Sequence, residues 1–227
     1  MKSRKELLEL VMKYGWDHVS TKQALPENFI KEFKNNVIWR KISYSQKLSE
    51  DLIREFKDKV DWDHVSTKQK LSEDFIREFQ DKVDWTYVSS AQTLSENFMR
   101  EFQDKVEWAY VSSKQILSEN FMREFKDKIG WGWISYYQKL SEDFIREFQD
   151  KVDWKRIPWA QKLSQNFIRE FKDIVTWDHI SCYQKLSADF IIEFWHRLRK
   201  YGKPECIDFR KKEYKDRDDL KLLLRLG

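Results

Sequence analysis

The sequence predicts an all-α protein: an α-solenoid, or superhelix, of eight 23-residue two-helix repeats with an N- and a C-terminal cap. Three observations carry this. Trp stands at positions 16, 39, 62, 85, 108, 131, 154 and 177, always 23 residues apart, and self-similarity at such a period marks a repeat array. After each Trp a common unit returns, roughly W-x-x-(V/I)-S-x-x-Q-x-L-S-E-(D/N)-F-I-R-E-F-x-D-K-V-x, with apolar residues at helical spacing. Five Gly and three Pro in 227 residues are too few for the turns of an all-β sandwich or barrel.

Residues 1–15 read as an N-terminal capping half-repeat, because Ser3 falls on the cap position of the unit and Leu7 and Leu10 on two of its core positions. Residues 16–199 hold the eight repeats, and the third shows what one repeat builds. Asp61 or a neighbour starts a short helix running from Trp62 to Gln69, and Leu71 closes the turn that follows. Ser72 is a candidate N-cap for a second helix, expected to be the longer of the two, with Glu73 and Asp74 where the helix dipole favours negative charge. Phe75, Ile76, Phe79 and Val83 then form one apolar stripe. Helices this short are unstable alone, so they must be held by stacking on their neighbours. Residues 200–227 form a C-terminal cap or basic tail: Lys200 replaces the next Trp, and Tyr201-Gly202-Lys203-Pro204 breaks the last helix. The amphipathic stretch 219–226 is expected to cover the last repeat.

Comparing the eight copies separates two faces of the first helix. Counting the Trp as position 0, positions 0, 3, 4 and 7 hold Trp, Val or Ile, Ser and Gln, one stripe of a 3.6-residue helix. Gln occurs in all eight copies and Ser in seven, with Pro158 the exception. Polar residues on a buried stripe must be hydrogen-bonded, so Ser and Gln are expected to form a ladder between repeats. Positions 1, 2, 5 and 6 form the opposite face and vary. They comprise 32 residues, of which eight are aromatic, seven basic and three acidic. Aromatic residues and Arg anchor interfaces, so this face is the candidate binding surface. Its candidate residues are Tyr87, Tyr110, Trp133, Tyr136, Tyr137, Lys155, Arg156, Trp159 and Tyr183. The competing reading buries these side chains between the short helices as ordinary core. On the second helix the outward charges hardly vary, with Glu at position 16 in every copy and Arg at 15 in six, as on a solvated, ion-paired face.

Little speaks for chemistry. There is no Gly-rich phosphate loop, no G-x-S-x-G, no H-E-x-x-H and no paired C-x-x-C. His179 and Cys182, with Asp178 adjacent, are two or three ligands without a fourth, which is ordinary surface rather than a metal site. No catalytic residue, cofactor or metal is therefore expected, and the chain reads as a non-enzyme. No apolar run approaches the ~20 residues of a membrane span, and the charged start MKSRKELLEL lacks a secretory apolar core. Two Cys, at 182 and 206, do not make a disulfide framework. A cytoplasmic, reducing setting without a membrane partner is the expectation. Residues 196–227 carry 11 Lys/Arg against 6 Asp/Glu, which leaves the rest close to neutral and without a strong nucleic-acid footprint.

The unit L-S-E-D-F-I-R-E-F-x-D-K-V-D-W, as at residues 71–85, resembles tandem repeats of large DNA viruses and of some phage and bacterial proteins. The resemblance implies a viral or phage context, in which repeat scaffolds engage host proteins; it brings no activity or catalytic residues with it. The leading expectation is a scaffold that binds a protein partner, such as a host defence component, through the variable face. A binder or sponge of a nucleotide or single-stranded nucleic acid, using stacking and cation–π contacts, is the alternative, and a purely structural spacer the third.

Overall fold

A computed structural model of the protein describes residues 2–226 apart from Arg210 and Asp216, and gives the backbone alone for Lys212 and residues 224–226. It comprises two compact units, Met1–Gln115 and Ile116–Gly227, each a solenoid-like stack of helix pairs in sequential contact.

Repeat three illustrates the step. Its first helix, Trp62–Lys68, is capped by the Asp61 side chain, which accepts from the His64 N–H. Its second helix, Glu73–Glu78, is capped by Ser72, whose Oγ accepts from the Phe75 N–H at 3.1 Å. The expectation that this second helix is the longer one is corrected: it has six residues and the first has seven. Phe79 leaves helical geometry (φ −113°, ψ 30°), and its carbonyl accepts from both Lys82 and Val83. That turn returns Val83 to the core, so the Phe79–Val83 spacing that reads as helix is closed by a turn. The Trp85 indole N–H then donates to the Gln80 carbonyl at 2.9 Å, satisfying an acceptor within that turn.

The periodic Trp residues also tie together the two halves of their own repeats. The Trp62 ring lies 5.0 Å from Phe79 and 6.3 Å from Phe75, and the same triad recurs at Trp131, Phe144 and Phe148.

The predicted Ser–Gln ladder is present. Gln69 accepts from the Leu48 N–H at 2.9 Å and donates from Nε2 to the carbonyls of Ser43 (2.9 Å) and Gln46 (2.8 Å). Ser43 Oγ accepts from the Asp61 N–H at 3.0 Å. Gln46, Gln92, Gln115 and Gln161 repeat the arrangement within their units. Where Pro158 replaces Ser it has no N–H for the Trp154 carbonyl. The hydroxyl of Thr176, the residue before the next first helix, donates to that carbonyl instead at 3.2 Å.

The charged face is more than solvated surface. Arg77 lies 5.1 Å over the Phe98 ring of the next repeat, while its Nε donates to Glu101 at 2.8 Å. Glu50 accepts from the backbone N–H of Ser72, the next cap.

Both ends imitate missing repeats. Ser3 and Glu6 form a reciprocal capping box, and Leu7 is fully buried while Leu10 is half-buried. The first helix, Arg4–Lys22, is broken at Gly15, whose φ of +78° favours glycine. At the other end the helix Trp195–Tyr201 replaces the usual turn, and the Lys203 N–H donates to Ser181 Oγ at 2.8 Å, the role played in the stack by the next repeat. Tyr214 donates its hydroxyl to the Leu186 carbonyl at 2.6 Å. The helix Asp218–Leu226 lies against Ala188–Glu193 with Leu220 buried, so the tail covers the last repeat. The side chains of residues 224–226, part of the amphipathic stretch, lie outside the described residues.

The cysteine expectation is corrected. Cys182 and Cys206 form a disulfide across 24 residues, with Cα atoms 4.8 Å apart, because the tail turns back over the helix Trp177–Tyr183 that carries Cys182.

Two predictions follow from the ladder and the cap. Gln69→Glu keeps the size and one acceptor but cannot donate to two buried carbonyls, and should destabilise by about 2–4 kcal/mol. Arg77→Ala, at an exposed pair, should destabilise less than Gln69→Glu; urea unfolding of both checks the order. Burial and the neighbouring Glu213 push the Tyr214 phenol up to about 12. Its raised value means that its contribution to stability is complete below the ordinary tyrosine value of 10 and is lost as pH climbs towards 12. A phenolate absorbance titration should show one late tyrosine, absent in Tyr214→Phe.

Candidate interaction surface

The first helix of a repeat has one saturated face. In Trp131–Tyr137, Ile134 and Ser135 are fully buried, the Gln138 that follows is buried, and Trp131 is half-buried. Three to four apolar or hydrogen-bonded positions per two turns use up that stripe. Gly132, Trp133, Tyr136 and Tyr137 therefore point away from the core.

These side chains are exposed rather than packed as core. Trp133 is 42 %, Trp159 45 %, Tyr137 50 % and Tyr183 54 % exposed, and Tyr87 and Tyr110 are each 39 % exposed. Lys155 is exposed as well, whereas Tyr136 and Arg156 are half-buried.

In the unit Ile116–Gly227 the rings of repeats six, seven and eight meet. Trp133 lies 5.9 Å from Tyr137, which meets Tyr136 edge-on at 4.7 Å. Tyr136 in turn meets Trp159 of the next repeat at 5.0 Å, and Trp159 lies 5.9 Å from Tyr183 of the one after. Aromatic pairs at such separations attract one another while leaving their outer faces open. His179 joins the row, 5.9 Å from Trp159 and 5.8 Å from Tyr183. Its Nδ1 is 2.7 Å from the Lys155 carbonyl, which holds the imidazole between repeats.

Arg156 is fixed at three points. Its guanidinium lies 5.4 Å over the Trp133 ring, Nη1 donates to the Gly132 carbonyl at 2.9 Å, and Nε stands 3.2 Å from the Asp153 carboxylate. A Cβ at Gly132 would meet Nη1 at 3.6 Å, an ordinary contact, so the arrangement does not depend on glycine there.

The other unit carries a thinner version. Tyr44 lies 5.1 Å from His64, edge to face, with Lys68 Nζ 5.0 Å over its ring. Tyr87 and Tyr110 make no ring contact among the described residues, so the structure does not bring these two candidates into the row.

Sequence reading missed two features. His179 appeared as surface variation, although its place one turn before Tyr183 was visible. Lys139, Lys162 and Lys185, each directly after a ladder Gln, border the row; their 23-residue spacing was the available signal. The partial ligand set of His179, Cys182 and Asp178 loses its sulfur to the disulfide.

No family model, curated protein or solved structure matches this chain. No helix among the described residues is long and apolar enough to cross a membrane.

The two classes of Trp should separate on substitution. Trp131 donates to the Lys126 carbonyl and packs on Phe144 and Phe148, so Trp131→Ala should cost about 3 kcal/mol. Trp159→Ala, on the exposed row, should change stability by less than about 1 kcal/mol. Denaturant midpoints of the two variants check this.

Proposed function

We propose that this protein is a non-enzymatic scaffold that binds a protein partner through the variable face of the first helices, centred on repeats six to eight. The observation that carries this reading is the row of exposed rings from Trp133 to Tyr183, with Arg156 held against it. Large aromatic side chains on a rigid frame supply contact area at little entropic cost, and Trp, Tyr and Arg dominate binding hot spots. Their exposure weighs against the spacer reading, in which nothing requires them to face water.

The resemblance of the repeats to those of large DNA viruses and phages supports a host protein, with a defence component first among candidates. An intracellular setting belongs to this proposal. The Cys182–Cys206 bond pulls against it, because structural disulfides are found mainly in oxidising compartments.

A nucleotide or single-stranded nucleic acid is the second reading, favoured by the cation–π contact of Arg156 on Trp133 with Lys155 adjacent. It carries less weight because Asp153 offsets the Arg156 charge.

The combined variant Trp133→Ala, Tyr137→Ala, Arg156→Ala and Trp159→Ala should keep the circular dichroism spectrum of the parent and lose partner capture from host lysate. Undiminished capture by the folded variant refutes the proposal. Salt-sensitive oligonucleotide binding by the parent, lost in the variant, would favour the second reading.

A further inference from the structure

We infer that the row in the unit Ile116–Gly227 takes an extended acidic segment of its partner, in polyproline II conformation, with a carboxylate at every third residue. This rests on the proposed protein-binding role of the surface and adds the chemistry of what it binds.

The first observation is charge. Over most of the molecule, cations facing the next or the previous repeat are matched: Arg146 with Glu170, Arg169 with Glu193, Lys151 with Asp127. Lys139, Lys162 and Lys185 break that rule. All three are exposed, and among the described residues none forms an ion pair. Lys139 and Lys162 line, with Tyr136, Tyr137 and Ala160, a groove of about 370 Å³. Lys185 lines, with Tyr183, Tyr214, Lys211 and Asp208, another of about 330 Å³ beside the disulfide. Lys155 adds a fourth exposed cation without an ion pair among the described residues. A surface that leaves its lysines unmatched beside open aromatic faces complements a ligand carrying carboxylates and apolar or proline side chains.

The second observation is spacing. The lysines and the rings each advance by one repeat, and the first helices of successive repeats here pack directly on one another. Packed helices stand about 8–10 Å apart. A polyproline II chain rises about 3.1 Å per residue with three residues per turn, so it presents the same face about every 9 Å. A strand presents one face about every 7 Å and an α-helix turns about every 5.4 Å, and neither keeps register with three successive lysines. In the other unit the lysine register runs through Lys47 and Lys70 and ends at Thr93, where the aromatic row is also absent.

The test uses the full chain and synthetic proline-rich peptides of equal length, read by tryptophan fluorescence and calorimetry. One peptide has Glu at every third residue, one has the same number of Glu at every second residue, and one has Lys at every third. The first should bind about tenfold or more tightly than the other two and weaken as salt is raised. Lys139→Ala, Lys162→Ala and Lys185→Ala combined should cost that peptide about tenfold or more in affinity while the fold is kept. Equal binding of the three peptides, an unaffected triple variant, or tighter binding of a single-stranded oligonucleotide overturns the inference. Partner capture separates the two levels. If the lysine variant captures normally and the aromatic variant does not, the acidic segment is wrong and the protein-binding surface stands. If both capture normally, both readings fall.

Discussion

A glutamine side chain that behaves like a piece of backbone holds each unit together. The amide of Gln69 has one acceptor and two donor hydrogens, and all are used: it takes the Leu48 N–H and supplies the Ser43 and Gln46 carbonyls. It therefore stands in for a peptide group between two chain segments that share no sheet or helix. Buried at 4 % exposure, it could not be left half-satisfied without a large desolvation cost. The neighbouring serine works to the same end, since Ser43 Oγ meets the N–H of Asp61 as the chain enters the next repeat. Helices of six or seven residues have no stability of their own, so these cross-links and the Trp–Phe packing do what helix length does in larger repeats.

The rest of the molecule is arranged around that frame. Pro158 removes both the serine and a backbone donor, and Thr176, at the entry to the next repeat, replaces the lost hydrogen bond. The tail supplies what a ninth repeat would have supplied, through Lys203 and Tyr214, and the disulfide fastens it there. Charged residues add a second, weaker layer. Each Arg–Glu contact between repeats is exposed and contributes little alone, but the guanidinium also shields a buried Phe, as Arg77 does over Phe98. Because the inward face is saturated, the outward positions of the first helix are free to vary without cost to the stack. The proposed recognition role draws on that freedom.

Much of this was legible in residue order. Ser72 before Glu73-Asp74 announces a cap, and the structure places one there. The constancy of Gln and Ser on an apolar stripe announces buried hydrogen bonding. Internal comparison also picked out Trp133, Tyr136, Tyr137, Trp159 and Tyr183 as one face. What was not legible is where that face is dense. Tyr87 and Tyr110 satisfy the same positional rule as Trp133, yet among the described residues they make no ring contact, whereas the rings of repeats six, seven and eight form a row. The lysines after Gln138, Gln161 and Gln184 sit in a turn, one place outside the helix, where helical periodicity carries no signal.

By itself the sequence determined the period, the helix starts and which positions of each repeat turn inward, since these depend on residues within one or two helical turns. Only the tertiary structure decided that the second helix stops at Glu78, that the Gln amides reach 21, 23 and 26 residues back, that Cys182 meets Cys206, and that Trp159 bridges Tyr136 and Tyr183. These are contacts between separate turns of the stack. Their existence depends on how one repeat settles on the next, a property of packing that no local pattern encodes.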